Sequence, residues 1–361
     1  MTAGAAPIEI DGSTGEGGGQ LVRTAVALAA VSGKPVRIAR IRAGRERPGL
    51  AAQHLTAVRA VAAFCDATVH GLELRSREIA FDPGPIGAGA HVFEVGTAGS
   101  VTLVLQALLP VMAMAPTRSR VTVRGGTDVR AAPALDYTAQ VILPLLERLG
   151  MRVSLECLRR GYYPRGGGEI ACEVEPARPR VVDLSAPGAL RAVNVHSHVG
   201  NLPSHIAERM AGAARAQLRE LARCAVDCEA IAAPAAVGTG GAVVAAAHLD
   251  GSSLGAGRIA ERGIRAEQLG TEAGAELTSD LSCGAALDVH AADQLLVHLA
   301  LAGPGSQFTT REITSHARTA MWLIEQFLPV RFRLERQAQR ILVRVEARAH
   351  GGTGGAAHRG P

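Results

Sequence analysis

A chain of 361 residues can bury a large core and can hold two domains, or one domain carrying an insert. Its 47% hydrophobic and 20% charged content is that of a globular protein, and 3% aromatics exclude broad stacking onto many nucleotides. No apolar run reaches the roughly 18 to 20 residues that span a bilayer, and the opening MTAGAAPIEI lacks a basic secretory region, so no membrane and a cytoplasmic location are expected. A net charge of +5 leans towards a polyanionic partner. Lys34 is the only lysine beside many Arg and Ala, a GC-rich coding bias that weakens each Arg as a sign of phosphate recognition.

The first element is a short strand around Ile8 and Ile10, followed by Asp11-Gly-Ser-Thr-Gly-Glu-Gly-Gly-Gly-Gln-Leu-Val-Arg23 and an apolar helix over Leu21–Val31. Five glycines let the backbone approach a bulky anion, and free N–H groups at the helix start favour negative charge. Glu16 in that loop makes sense if a divalent cation bridges it to a phosphate; a tight turn with a solvated Glu is the plainer reading. The next polar loop carries Arg42, Arg45 and Arg47, then Pro48, Gln53 and His54 at a helix start. Arginines so spaced suit bidentate phosphate contacts, or simply a solvated basic loop.

The plan strand, small-residue turn, helix, strand, polar loop, helix, two strands recurs. Units are expected at about 8–82, 91–176 and 285–346, with a loop at 83–90 between the first two. Apolar stripes on the second helices (Leu55, Val58, Val61, Ala62, Phe64; then Val141, Leu145, Leu146, Leu149) support three βαβαββ repeats in an α/β protein. In the second unit, the turn Gly96–Ser100 leads to Gln106, a lone amide on an apolar helix that must find a partner, a purine edge or a backbone carbonyl.

Segment 184–279 differs in texture and reads as a small inserted α/β domain, with the repeat array covering 1–183 and 280–346. Val182–Val199 alternates as a strand, Ile206–Leu221 reads as an amphipathic helix, Gly241–Leu249 as a strand and Ala256–Ala273 as a helix. His196 and His198 share one side of a strand, without a third ligand in sight, and are expected to be partly exposed polar residues. The six cysteines form no CxxC pair; Cys224 and Cys228 would share a helix face, and free thiols are expected. In the third unit His290-Ala-Ala-Asp293-Gln294 replaces the glycine turn, and Ser315-His316 starts a helix over 317–328. A histidine there meets helix N–H groups, which keep a neutral nucleophilic nitrogen. The tail 347–361 is low-complexity and expected to be disordered.

GEGGGQLVRTA, IRAGRERPGLAAQHL, GTAGSVTLVLQ, RGGTD, RGYYPRGGGEI, NLPSHIAER, ADQLL and SHARTAMWLIEQFLPV together resemble the RNA 3′-terminal phosphate cyclases, from Ile8 to about Val345. The Arg-Gly-x-x-Pro-x-Gly-Gly-Gly run is the most specific of these. The resemblance implies three repeats like the C-terminal fold of translation initiation factor 3, with a thioredoxin-like domain inserted before the last. It implies an ATP-dependent ligase in which His316 takes AMP and passes it to an RNA 3′-phosphate, which closes to a 2′,3′-cyclic phosphate. By the same resemblance, Glu16 holds Mg²⁺ or Mn²⁺. Arg23, Gln106, Pro133 and the turn His290, Ala291, Ala292, Asp293 and Gln294 bind ATP, with Asp293 orienting His316 or contacting ribose. Arg42, Arg45, Gln20 and Gln53 bind the RNA end or phosphate. RNA 3′-phosphate ends are the implied partner, with no stable protein partner. Three positions depart from the family pattern: Arg160 where His is frequent, Thr319-Ala320 where Thr-Asn is usual, and His290 where an aromatic ring is common. A rival reading is a non-catalytic RNA-binding scaffold of the same fold, a branch that lacks the histidine.

Overall fold

The computed structural model describes residues 6–221 and 224–348. The architecture is mixed α/β. Strand β1 (Ile8–Asp11) leads through the glycine loop to helix α1 (Gly19–Ser32). Gly33 ends α1 in the left-handed region at φ 65°, its N–H returning to the Ala29 and Ala30 carbonyls. Then follow β2 (Val36–Ala39), α2 (Ala52–Phe64), β3 (Thr68–His70) and β4 (Ile79–Asp82). The sheet order is β1-β2-β4-β3, parallel in its first pair and antiparallel in the other two.

The second unit repeats that order. β5 (Ala90–Glu94), α3 (Val101–Ala113) and β6 (Ser119–Gly125) precede a helix that starts as α4 (Leu135–Tyr137), passes a π turn (Thr138–Ile142) and continues as α5 (Leu143–Arg148). β7 (Val153–Gly161) and β8 (Gly168–Val174) complete the order β5-β6-β8-β7.

The third sheet shows what the one-dimensional reading missed. Its opening strand is β9 (Asp183–Leu184), which lies before the inserted segment and pairs in parallel with β15 (Gln307–Thr310) far beyond it. Between them run β10 (Leu190–Gly200), α6 (His205–Leu218), β11 (Cys224–Ile231), β12 (Ala236–Val237), β13 (Gly240–Leu249), β14 (Ser253–Ile259), α7 (Ala266–Ser282) and α8 (Val289–Ala302). After β15 come α9 (Ser315–Phe327), β16 (Val330–Gln337) and β17 (Arg340–Ala347), giving β9-β15-β17-β16. The third unit thus takes its first strand from residues 183–184, outside the 285–346 expected for it.

Two readings of the intervening segment are corrected. Ala256–Ile259 belongs to β14 and the helix begins only at Ala266. A Cβ on Gly255 would lie 2.6 Å from Val141 Cγ2 and 3.0 Å from the Ala245 carbonyl oxygen, so close packing of this strand requires glycine at that position. Cys224 and Cys228 lie on strand β11, not on a helix, and are free thiols. The segment has its own sheet, β11-β10-β13-β14, and its own core under α6 and α7, built on Val193, Val195, Met210, Val243, Leu254 and Leu277. Through β12 it also adds a fifth strand to the second sheet, beside Arg160 and Gly161.

α1 packs against α3 and α9, so the helices of the three units share one large core. Lys34, the single lysine, donates from Nζ to the Phe327 carbonyl at 2.6 Å, where the C-terminal end of α9 favours a cation. Ala347 closes β17, and the rest of the low-complexity tail lies outside the described residues apart from Arg348. Among the described residues no helix is long and apolar enough to cross a membrane.

Candidate active site

The glycine loop is held to the third unit by short contacts. Gly15 adopts φ 61°, and a Cβ there would lie 2.2 Å from Thr319 Oγ1. Thr319 accepts from the Glu16 N–H at 3.4 Å and donates to the Ser315 carbonyl at 2.8 Å. The Thr319-Ala320 pair therefore keeps the link that docks the loop on α9, and Ala320 lines the cleft beside it.

His316 sits half-buried in the first turn of α9, after the cap residue Thr314. Its Nδ1 lies 2.6 Å from Gln20 Oε1, in hydrogen-bonding geometry, and 2.5 Å from Glu16 Oε2. One N–H can serve one acceptor here, and the Gln20 contact has the right direction. Glu16 Oε2 is buried without a hydrogen-bond partner, while Oε1 accepts from Arg45 Nη2 at 2.7 Å. With Nδ1 engaged, Nε2 is the nitrogen left for chemistry. Burial lowers the His316 pKa, and Arg23 and Arg45 lower it further against the opposing pull of Glu16. The neutral ring expected from the helix start is thus favoured, with burial as its main cause.

Asp293 does not reach the His316 ring. It accepts from the Thr314 hydroxyl at 2.8 Å, and that hydroxyl in turn caps the Ala317 N–H at 2.9 Å. It acts on His316 only through the cap of α9. Burial pushes Asp293 up to about 7.

Beside His316 runs a narrow cleft lined by Gln20, Arg23, Gln106, Asp293, Gln294 and His298. Its enclosed volume is about 10 Å³, room for about one water. Arg23 is 6% exposed, with no carboxylate within ion-pair distance among the described residues and with Nε unpartnered. Burial lowers its pKa to about 10. A buried cation without a counter-ion is a seat for an anion. His54 is buried and accepts from the Ala51 N–H through Nδ1. Its pKa falls to about 3 through burial and the nearby Arg23 and Arg42, so it adds no charge. A Cβ on Gly19 would lie 1.9 Å from His54 Nε2, which explains that glycine.

Other expected site residues are engaged elsewhere. Gln53 Oε1 accepts from the Ser100 N–H at 3.2 Å, and Arg42 donates to the Gly49 carbonyl at 2.8 Å. Both side chains close loops. Pro133 accepts from Thr102 through its carbonyl and does not line the cleft. His290 turns to Glu276 on α7 at 3.0 Å, and that bond raises its pKa to about 9. Ala291 and Ala292 are buried in the large core. The segment 290–294, expected as a turn, is the start of helix α8 behind its cap Asp288, and of it Asp293 and Gln294 face the cleft. His298 was missed: it is buried, its pKa drawn down to about 4 by burial, with Nδ1 unpartnered. Its signal was spacing, since Gln294 and His298 stand four apart on one face of an apolar helix, as Gln20 and Thr24 do on α1.

Fold and site together define an α/β protein of repeated sheets with a narrow cleft that holds a buried arginine, unpaired among the described residues, next to an imidazole whose one nitrogen is held and whose other is free. Comparison with known proteins narrows this. The family model described as RNA 3′-terminal phosphate cyclase matches residues 14–334. A relative of that name from Nitrosospira multiformis is 54% identical over 344 residues, covering 95% of this chain and 98% of the relative. One from Methanopyrus kandleri is 46% identical over 330 residues, covering 90% and 94%. A third, from Pyrobaculum neutrophilum, is 44% identical over 341 residues, covering 94% and 98%. The chain belongs to the RNA 3′-terminal phosphate cyclase family.

Proposed function

We propose that this chain converts an RNA 3′-terminal phosphate to a 2′,3′-cyclic phosphate at the expense of ATP, with His316 as the nucleophile. The observation that carries the reading is the His316 Nδ1–Gln20 contact at the head of the cleft that holds Arg23. In the first step the Nε2 lone pair attacks the α-phosphorus of ATP; the α–β P–O bond breaks and pyrophosphate leaves. A 3′-phosphate oxygen of the RNA then attacks the phosphoramidate, the N–P bond breaks and AMP passes to the RNA end. The neighbouring 2′-hydroxyl attacks the phosphorus of the RNA's own 3′-phosphate and loses its proton; the P–O bond to the adenylyl group breaks and AMP leaves. These transfers demand in-line placement and cationic contacts more than acid–base apparatus. Arg23 and Arg45 supply the charge, and Gln20 fixes the ring by accepting a hydrogen bond from its Nδ1–H.

The residues present fit a divalent cation such as Mg²⁺ or Mn²⁺. Glu16 Oε2 is a buried carboxylate oxygen without a hydrogen bond, beside an anion-binding loop. When bound, such a cation would neutralise phosphate charge during adenylyl transfer. Glu16, Gln20 and His316 then form one positioning group, with Thr319 holding the loop against it.

Incubation with ATP labelled at the α-phosphorus tests this directly. Wild-type protein should carry an acid-labile, alkali-stable label, and His316→Ala should carry none. Wild type that binds RNA but takes no label with either metal would overturn the enzyme reading in favour of an RNA-binding scaffold.

A further inference from the structure

Away from the His316 cleft, three side chains converge where the inserted segment meets the second unit. His196 and His198 project from the same side of β10, and Asp136 comes from α4. One ligand atom from each lies within 4.8 Å of the other two. Asp136 Oδ2 is 3.1 Å from His198 Nδ1 and 3.8 Å from His196 Nε2. All three atoms are buried and none makes a hydrogen bond. His198 is itself wholly buried, contrary to the partly exposed position expected for it.

The surroundings fix which way the lone pairs face. Asp227, exposed on the neighbouring strand β11 and in register with His196, lies 2.9 Å from His196 Nδ1. An ionised carboxylate only accepts, so Nδ1 carries the proton and Nε2 presents its lone pair to the cluster. Asp136 Oδ1 is taken by Arg160 Nη2 at 2.7 Å, which leaves Oδ2 facing inward. Asp128, 3.5 Å from His198 Nε2, is already supplied by Thr127, Arg160 and the Leu135 N–H. Lone pairs on His196 Nε2 and Asp136 Oδ2 thus face each other across a buried space in which His198 Nδ1, 3.1 Å from Asp136 Oδ2, is the other polar group, so positive charge has to be supplied there by a proton on His198 or by a bound ion. Without that charge the arrangement is repulsive.

We propose that Asp136, His196 and His198 bind one divalent transition-metal ion, with Zn²⁺ the best match. Two imidazoles and one carboxylate are a borderline-soft N₂O set, which suits Zn²⁺ over Mg²⁺ or Ca²⁺. The Asp227–His196 contact is the outer carboxylate that orients a ligating imidazole. His196 remains partly open to solvent, which gives the ion a route in. Two ligands come from the inserted segment and one from the second unit, so the ion pins one to the other. It shares no residue with the Glu16–His316 group.

The test uses the full chain, stripped with a chelator and titrated with Co²⁺ and then Zn²⁺. Wild type should take up about one equivalent of Co²⁺ with the visible absorption of a low-coordinate N/O site, displaced by Zn²⁺, and Zn²⁺ should raise its melting temperature. Glu16→Gln should keep the absorption, which separates this site from the cleft. His196→Ala should lose it. Asp227→Asn, altered only at an exposed carboxylate, should weaken Co²⁺ binding roughly 10- to 100-fold while leaving the fold intact by circular dichroism. No stoichiometric uptake by wild type, or uptake that survives His196→Ala, would overturn the proposal.

Discussion

Gln20→Leu separates the hydrogen bond to His316 from the packing around it. The variant keeps the shape at the start of α1 and removes the acceptor 2.6 Å from Nδ1. Self-adenylylation should slow roughly 10- to 100-fold, the usual cost of losing a group that orients an imidazole, with the melting temperature almost unchanged. Gly15→Ala should act differently. It forces a side chain into a left-handed conformation and against Thr319 Oγ1, at a cost of about 1–2 kcal/mol for the backbone alone. Loss of stability by urea melting together with loss of label is expected; Thr319→Ala should lessen the clash but leave the loop undocked. In the sequence Glu16 stands out from the glycines around it and His316 from its place at a helix start, whereas Gln20 and Arg23 enter only through the family resemblance. The hydrogen bonds of Asp293 and Gln53 could not be read there, since Thr314 and Ser100 lie 21 and 47 residues away and nothing local joins them.

At the scale of elements, Asp288 is the residue to remove. It is fully buried, caps α8 by accepting from the His290 and Ala291 N–H groups, accepts from Tyr137 Oη at 2.8 Å and takes the Gly255 N–H at 3.0 Å. Asp288→Ala orphans donors from α4, β14 and α8 together, and chemical denaturation should show a loss of roughly 3 kcal/mol or more. Asp280, at the end of α7, gives a pH signature. Burial, with Asp288 nearby, raises its pKa to about 7 despite Arg311 at 2.9 Å. The native state therefore holds a proton that the unfolded chain releases near its ordinary value of 3.8. That contribution is full below the ordinary value and is lost as pH rises through about 7. Urea melts of wild type minus Asp280→Asn should show this difference falling between those limits and flat above. The helices and strands of the first two units were readable because apolar periodicity and glycine turns coincide there. β14 was not, because Gly255, required for close packing on Val141 and Ala245, interrupts the strand with a residue that carries no strand signature.

On the scale of the whole molecule, three sheets of one strand order place α1 against both α3 and α9, which brings a loop from the first unit to a helix of the third. Lys34→Ala, which removes the only lysine from the end of α9, should cost about 1 kcal/mol, with the label on His316 retained. The repeat itself was legible; the origin of its third opening strand was not, since two residues of β9 have no pattern to read. That strand carries a temporal consequence. Asp183 and its partner Gln307 stand 124 positions apart. On a ribosome, the early half of this pairing must emerge and wait until the whole intervening segment has been synthesised. The third sheet therefore closes only after the second sheet and the inserted segment are available to fold. His316, on the helix α9 that follows β15, meets the glycine loop of the first unit only after that segment has been made.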